Sequence, residues 1–118
     1  MATPGTFTPK RLVAPAQLGT AVGTLYTSPT TAGAQITSLI LVNVTGTPTG
    51  AGLFLPITGG TTGGTNQFVK DFTVPGDGLP YDLVPLGNQI YMGTNSTIQG
   101  TAAAASSITY HISGVEFV

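Results

Sequence analysis

The sequence has no cysteine and no tryptophan, and only seven of its 118 residues carry a formal charge. The lack of cysteine excludes disulfide bonds, a thiol nucleophile and thiolate metal sites, and it leaves the redox compartment undetermined. The charged share is about a quarter of that in ordinary globular proteins. Hydroxyl and amide groups must therefore supply most of the polar surface, and 118 residues suit one domain.

A net charge of −1 and only three cations leave no basic stripe for a phosphate backbone and no polybasic patch for an anionic membrane. We therefore expect no nucleic-acid partner and no membrane partner. The longest apolar run, Leu39 to Val42, is far too short to span a bilayer. The first eleven residues contain no apolar segment typical of a signal peptide, so we expect no cleaved leader.

Glycine, proline and threonine are abundant, with 17, 9 and 21 copies. This composition disfavours helix, and turn-forming clusters interrupt the chain every 8 to 15 residues or so. Short apolar runs alternate with polar residues between these clusters. The pattern predicts an all-β, antiparallel β-sandwich, jelly-roll-like, of about eight short strands. The predicted strands are Thr20–Thr27, Gln35–Val44, Gly52–Ile57, Gln67–Val74, Leu79–Val84, Gln89–Gly93, Thr97–Ala102 and Ser107–Val118.

The second predicted strand, Gln35–Val44, is apolar on both faces in its middle, whereas an antiparallel sandwich strand normally has one wet face. We assign Leu39 and Leu41 to the face that needs a second cover, from a loop, the N-terminal arm or another subunit. Closed cyclic symmetry is usual for such contacts, and we expect a homotrimer. In the last strand the apolar alternation slips at Gly114, which predicts a β-bulge or a bend there.

Residues 1–17 differ in composition from residues 18–118. Three prolines limit regular strand pairing, and two of the three cations, Lys10 and Arg11, are adjacent. We therefore divide the chain into an extended N-terminal arm, 1–17, and a β-sandwich domain, 18–118. The arm is either a frayed terminus or a segment that reaches outward and docks on a partner through Lys10 and Arg11.

The sequence offers little for catalysis. The single histidine, His111, fits a solvent-facing strand position, and no second histidine or cysteine can complete a metal set. Asp77 fits a turn, and a carboxylate pair with Asp82 is the weaker alternative. We predict no enzymatic activity, no metal and no cofactor. The local candidate for a sugar-binding platform, with two aromatic rings and two amides, consists of Tyr81, Tyr91, Asn88 and Gln89.

Three segments resemble small structural proteins of tailed bacteriophages and prophages. In those proteins a strand of the form LG…LYT-P precedes a strand of the form I-S-L-L--N, and the chain ends in (I/V)TY-ISG-E. The matching segments here are Leu18–Pro29, Ala34–Gly46 and Ala105–Glu116, within a resemblance that covers most of residues 18–117.

The resemblance implies a β-sandwich virion protein, most plausibly a capsid decoration (cement) protein, a class that is often trimeric and clamps neighbouring capsid subunits. Its partner would be the major capsid protein and its location the capsid surface, after synthesis in the host bacterial cytoplasm. The alternative is a carbohydrate- or receptor-binding module of a phage tail or fibre. The shared motifs define no functional residue.

Overall fold

The structure is a computed structural model that describes residues 7–30, 32–55, 62–84 and 90–117. These residues form strands and turns, and they include no helix that is long and apolar enough to cross a membrane. The strands are β1 (Phe7–Arg11), β2 (Ala16–Gln17), β3 (Gly23–Thr27), β4 (Ala34–Asn43), β5 (Thr49–Phe54), β6 (Gln67–Val74), β7 (Pro80–Asp82), β8 (Ile90–Met92), β9 (Thr97–Ala102) and β10 (Ile108–Phe117).

The strands form two antiparallel sheets that pack face to face. In sheet A, the long strands β10 and β4 lie side by side at the centre. The short strands β1 and β2 both pair with the outer edge of β10, and β7 and β8 both pair with the outer edge of β4. Sheet B has the order β3-β9-β5-β6. All eight strands predicted from the sequence are present, and β1 and β2 are additional.

The pairing pattern is that of one long hairpin. From its tip between β5 and β6, the pairs run β5 with β6, β4 with β7 and β8, β3 with β9, and β1 and β2 with β10. Two further pairings, β4 with β10 and β5 with β9, roll this hairpin into two sheets. The result is a jelly roll, the double-sheet arrangement of Greek-key strands.

The core lies between the two sheets and is built from alternate residues of the long strands. Strand β10 contributes Ile108, Tyr110 and Ile112, while β9 contributes Ile98 and Ala102. Each of these side chains is buried, and the residues between them face outward. The period-two pattern of the sequence therefore places the core correctly in these strands.

The central pair β10–β4 contains the bulge predicted at Gly114, but its extra residue belongs to β4. Ser113 pairs with Ser38 and Gly114 pairs with Ile36, which leaves Thr37 unpaired. A Cβ atom on Gly114 would lie 2.1 Å from the main-chain oxygen of Gln35. Glycine is required here because β4 approaches β10 too closely for any side chain.

Part of the predicted N-terminal arm pairs with the β-sandwich domain instead of reaching outward. Strand β1 pairs with β10 over five residues, and Pro9 lies opposite Val115 within it. Because β1 is an edge strand, one side of its main chain makes no ladder hydrogen bonds, and a proline is tolerated there. The described part of the arm, residues 7–17, lies along sheet A.

A polar contact also joins the two sheets. The hydroxyl of Tyr26, on β3, donates a 2.6 Å hydrogen bond to Oε2 of Glu116, on β10. Burial raises the pKa of Tyr26 well above its usual value, and the hydrogen bond and the negative charge of Glu116 raise it further. The neutral phenol is therefore the form that the folded state stabilises.

The close approach at the bulge predicts a large effect of a single methyl group. Gly114→Ala should lower the free energy of unfolding by about 2 kcal/mol or more, because main-chain atoms must move to admit the Cβ. Gly23→Ala is the matched control, since a Cβ there meets no atom within 4 Å. Urea denaturation of the two variants measures both effects, and equal stability would contradict the bulge geometry.

The contact between the sheets predicts a stability change that depends on pH. Tyr26→Phe should cost about 1 kcal/mol at neutral pH, a typical value for one hydrogen bond. Because the pKa of Tyr26 is raised on folding, its contribution is complete below about pH 10 and is lost as the pH rises further. The wild type should thus lose more stability than Tyr26→Phe in alkaline urea titrations.

Tyr91→Phe is the control, because Tyr91 is 66% exposed and takes no part in the contact between the sheets. An identical alkaline loss in wild type and Tyr26→Phe would rule out the proposed role of Tyr26.

Candidate functional site

The outer face of sheet A carries a row of apolar side chains along β4. Ile40 and Val42 point away from the core and are half-buried, and Val44, just beyond the strand, is 56% exposed. We call these three residues the β4 stripe. Residues that lie directly opposite each other in an antiparallel pair share a face, so His111 flanks Ile40 and Thr109 flanks Val42.

Leu39 and Leu41, which the sequence analysis assigned to an outer surface, lie in the core with no exposed area. The bulge at Thr37 explains this correction, because one extra residue reverses the alternation and turns both Ile36 and Leu39 inward. The expectation that β4 has two apolar faces is correct. The outward apolar side chains of β4 are those of the β4 stripe, and the trimer prediction loses the contact on which it was based.

The structure places one of the two predicted arm cations on the same face as the β4 stripe. Arg11 is exposed, ends β1 and lies opposite Ser113, an outward residue of β10. Lys10 precedes it and its main chain pairs with Gly114. Sheet A thus carries a positive charge at the β1 edge of its outer face.

A second apolar group lies on the same face beyond the bulge. Tyr91 on β8 is 66% exposed, and its ring centroid is 6.1 Å from that of Phe117 on β10. Val115 also faces outward and is half-buried. The outer face of sheet A therefore has apolar side chains on both sides of the bulge.

The two described residues of the predicted sugar platform, Tyr81 and Tyr91, do not lie together. Tyr81 pairs with the inward Leu41 and packs edge-on against Phe72 of sheet B, with ring centroids 6.2 Å apart. Tyr91 pairs with Gln35 and points outward. The two rings lie on opposite faces of sheet A and about 20 Å apart along β4. Asn88 and Gln89 lie outside the described residues.

The carboxylates near this region stabilise turns. Asp77 accepts hydrogen bonds from the Tyr81 hydroxyl, at 2.6 Å, and from the Leu79 main-chain nitrogen, at 3.0 Å, and these bonds lower the pKa of Asp77 and raise that of Tyr81. The first contact closes the turn predicted for Asp77. Asp82 accepts from the main-chain nitrogens of Leu39 and Val84.

Within the described ranges, no three histidine, cysteine, aspartate or glutamate side chains come close enough to hold a metal ion. His111 lies on the outer face of sheet A, half-buried, which is the strand position predicted for it. The chemistry that this face offers is therefore burial of apolar surface, with hydroxyl groups and the Asp82 carboxylate, which lies opposite Ile40, beside it.

Sequence reasoning missed Ile40 and Val42 as outward residues. The signal that could have identified them is Gly114, since a glycine that breaks the alternation of one strand also permits an extra residue in its partner.

Comparison with models of protein families, with curated proteins and with solved structures gives no match to this chain.

Proposed function

We propose that the chain is a non-enzymatic virion structural protein, a capsid decoration protein that binds the assembled head of a tailed bacteriophage. The outer face of sheet A would rest on the major capsid protein. The observation that carries this proposal is the β4 stripe, an apolar row on the outer surface of a sheet whose other face already covers the core.

The energetics of this face favour burial against a protein. An aliphatic side chain of this size contributes about 1.5 to 3 kcal/mol when it is fully buried from water. Ile40 and Val42 are already mostly covered, so burying the rest of either side chain would contribute at most about a third of that, while Val44, which is 56% exposed, would contribute about half. The neighbouring Thr109 is neutral, and burying a hydroxyl costs far less than burying an ion.

The charges on this face do not oppose docking. Asp82 already accepts two main-chain hydrogen bonds, so its carboxylate is partly satisfied within the chain. Arg11 lies at the sheet edge, where an acidic group on the partner could pair with it without burial in the centre of the contact. The arm prediction is thereby revised, because Arg11 would act as part of sheet A.

The fold is compatible with this function but does not decide it. Jelly rolls occur in viral capsid proteins and also in lectins, and one fold serves many functions. The resemblance of segments 18–29, 34–46 and 105–116 to phage structural proteins is the reason for preferring a virion partner.

The direct test is the composition of purified virions of the source phage. Quantitative mass spectrometry should find this chain in a fixed ratio to the major capsid protein, near one copy for each capsid subunit or small group of subunits. A few copies for each particle would indicate a tail or fibre protein, and absence from virions would overturn the proposal.

The attachment face is tested by a charge on the β4 stripe. Val42→Glu should lower occupancy on heads that lack the protein by more than tenfold, because the contact would bury an unpaired carboxylate. Thr73→Glu adds the same charge at an exposed position on sheet B and should leave occupancy unchanged. Thermal melting of both variants verifies folding, and full occupancy by folded Val42→Glu would exclude this face.

A further inference from the structure

The outer face of sheet B contains a depression of about 230 Å³ that the attachment face does not use. Its floor is β5, where Gly50 and Gly52 alternate with the inward Ala51 and Leu53. Both glycines therefore lack a side chain on the outward face. The residues around them are Gln67, Asp71, Thr101 and Ala103.

The fold does not require glycine at Gly50. A Cβ atom there would meet no atom within 4 Å, and the main chain at Gly50 does not adopt a left-handed conformation. Glycine inside a strand weakens the strand, and it often marks a bulge, a bend or a place where a ligand or another main chain approaches closely.

Three polar side chains surround this floor. A Cβ on Gly52 would lie 3.3 Å from Nε2 of Gln67 and 3.7 Å from the methyl group of Thr101, so both side chains border the open position. The Thr101 hydroxyl donates to main-chain oxygens of Gly19 and Thr20 and keeps acceptor capacity. The carboxamide of Gln67 makes no hydrogen bond to any other described residue.

Asp71 is held at the rim by unusual backbone geometry. Leu53 pairs with Val69 and Ala51 pairs with Phe72, so β6 carries an extra residue in a bulge at this point. Asp71 has a φ of 51°, in the left-handed region that aspartate and asparagine tolerate better than most residues. Its exposed carboxylate lines the depression, and no hydrogen bond within the described chain occupies it.

We propose that this depression binds one ring of a neutral saccharide. A carboxylate can accept hydrogen bonds from two adjacent hydroxyl groups, while a carboxamide both donates and accepts. The bare floor admits a sugar ring close to the main chain, and the volume is below that of pockets for drug-sized ligands. Phe54 lies two residues along β5 on the same outward face, opposite Gln99, where it offers an apolar edge.

This site goes beyond the proposed attachment to a capsid and is independent of it, because the two surfaces lie on opposite sheets. A decoration protein attached through sheet A would present sheet B, and with it the depression, away from the shell. The site also differs from the platform predicted around Tyr81 and Tyr91, and it shares no residue with that platform.

The test is an NMR titration of the full, ¹⁵N-labelled chain with glucose, galactose, mannose and N-acetylglucosamine, each added separately. At least one sugar should shift the amide signals of Gly50, Gly52 and Thr101 in a saturable way. Lysine amide is the competing probe, because a cation could pair with Asp71 alone. Shifts with lysine amide only, or no saturable shift with any sugar, would overturn the proposal.

Substitutions in the depression test whether the sugar binds there. Gly50→Leu fills the floor without meeting other atoms at its Cβ, and Asp71→Asn keeps a side chain that tolerates the left-handed conformation. Each should weaken the affinity for the bound sugar at least tenfold. Thr109→Leu makes a comparable change on sheet A and should leave the affinity unchanged. Unchanged binding by folded Gly50→Leu and Asp71→Asn would place the sugar elsewhere and refute the site.

Discussion

The antiparallel pairing of β10 with β4 is the interaction on which the rest of this structure depends. These are the two ten-residue strands, and every other strand of sheet A attaches to an outer edge of one of them. Their pairing also joins parts of the chain that lie far apart in the long hairpin, and so it converts a ribbon into two facing sheets. The bulge at Thr37 and Gly114 interrupts this pair, and it decides which side chains of β4 enter the core.

The sequence predicts the positions of the strands better than it predicts which side chains face outward. Turn clusters and period-two alternation suffice to locate the strands, because both are properties of many residues at once. The face assignment of β4 fails for a local reason, since one unpaired residue inverts the parity of all that follow it, and Thr37 has no composition that marks it. Gly114 gave the position of the bulge but not the strand that holds the extra residue.

The N-terminal arm and the depression on sheet B show two other limits. Pro9 is compatible with a strand only at a sheet edge, and whether a segment lies at an edge depends on tertiary contacts that the sequence does not reveal. Gly50 and Gly52 alternate visibly in the sequence. These two glycines form the floor of a depression only because Gln67, Asp71 and Thr101 surround them, and those three residues come from two other strands.

Each of the two proposed roles belongs to the outward face of a different sheet. Sheet A has a row of apolar side chains with Asp82 beside Ile40 and Arg11 at the sheet edge, which suits a protein contact with an apolar centre. Sheet B has a floor of glycine with amide, hydroxyl and carboxylate groups, which suits a small, hydrated ligand.

The core assignment and the proposed attachment face both depend on which side chains of β4 point outward. Thiol labelling measures this most directly. The chain contains no cysteine, so Leu41→Cys and Val42→Cys each introduce a unique thiol. The structure predicts that a maleimide reagent modifies the thiol at position 42 in the folded protein, while the thiol at position 41 reacts only after unfolding. Rapid labelling at position 41 with protection at position 42 would contradict the bulge, the core assignment and the proposed attachment face together.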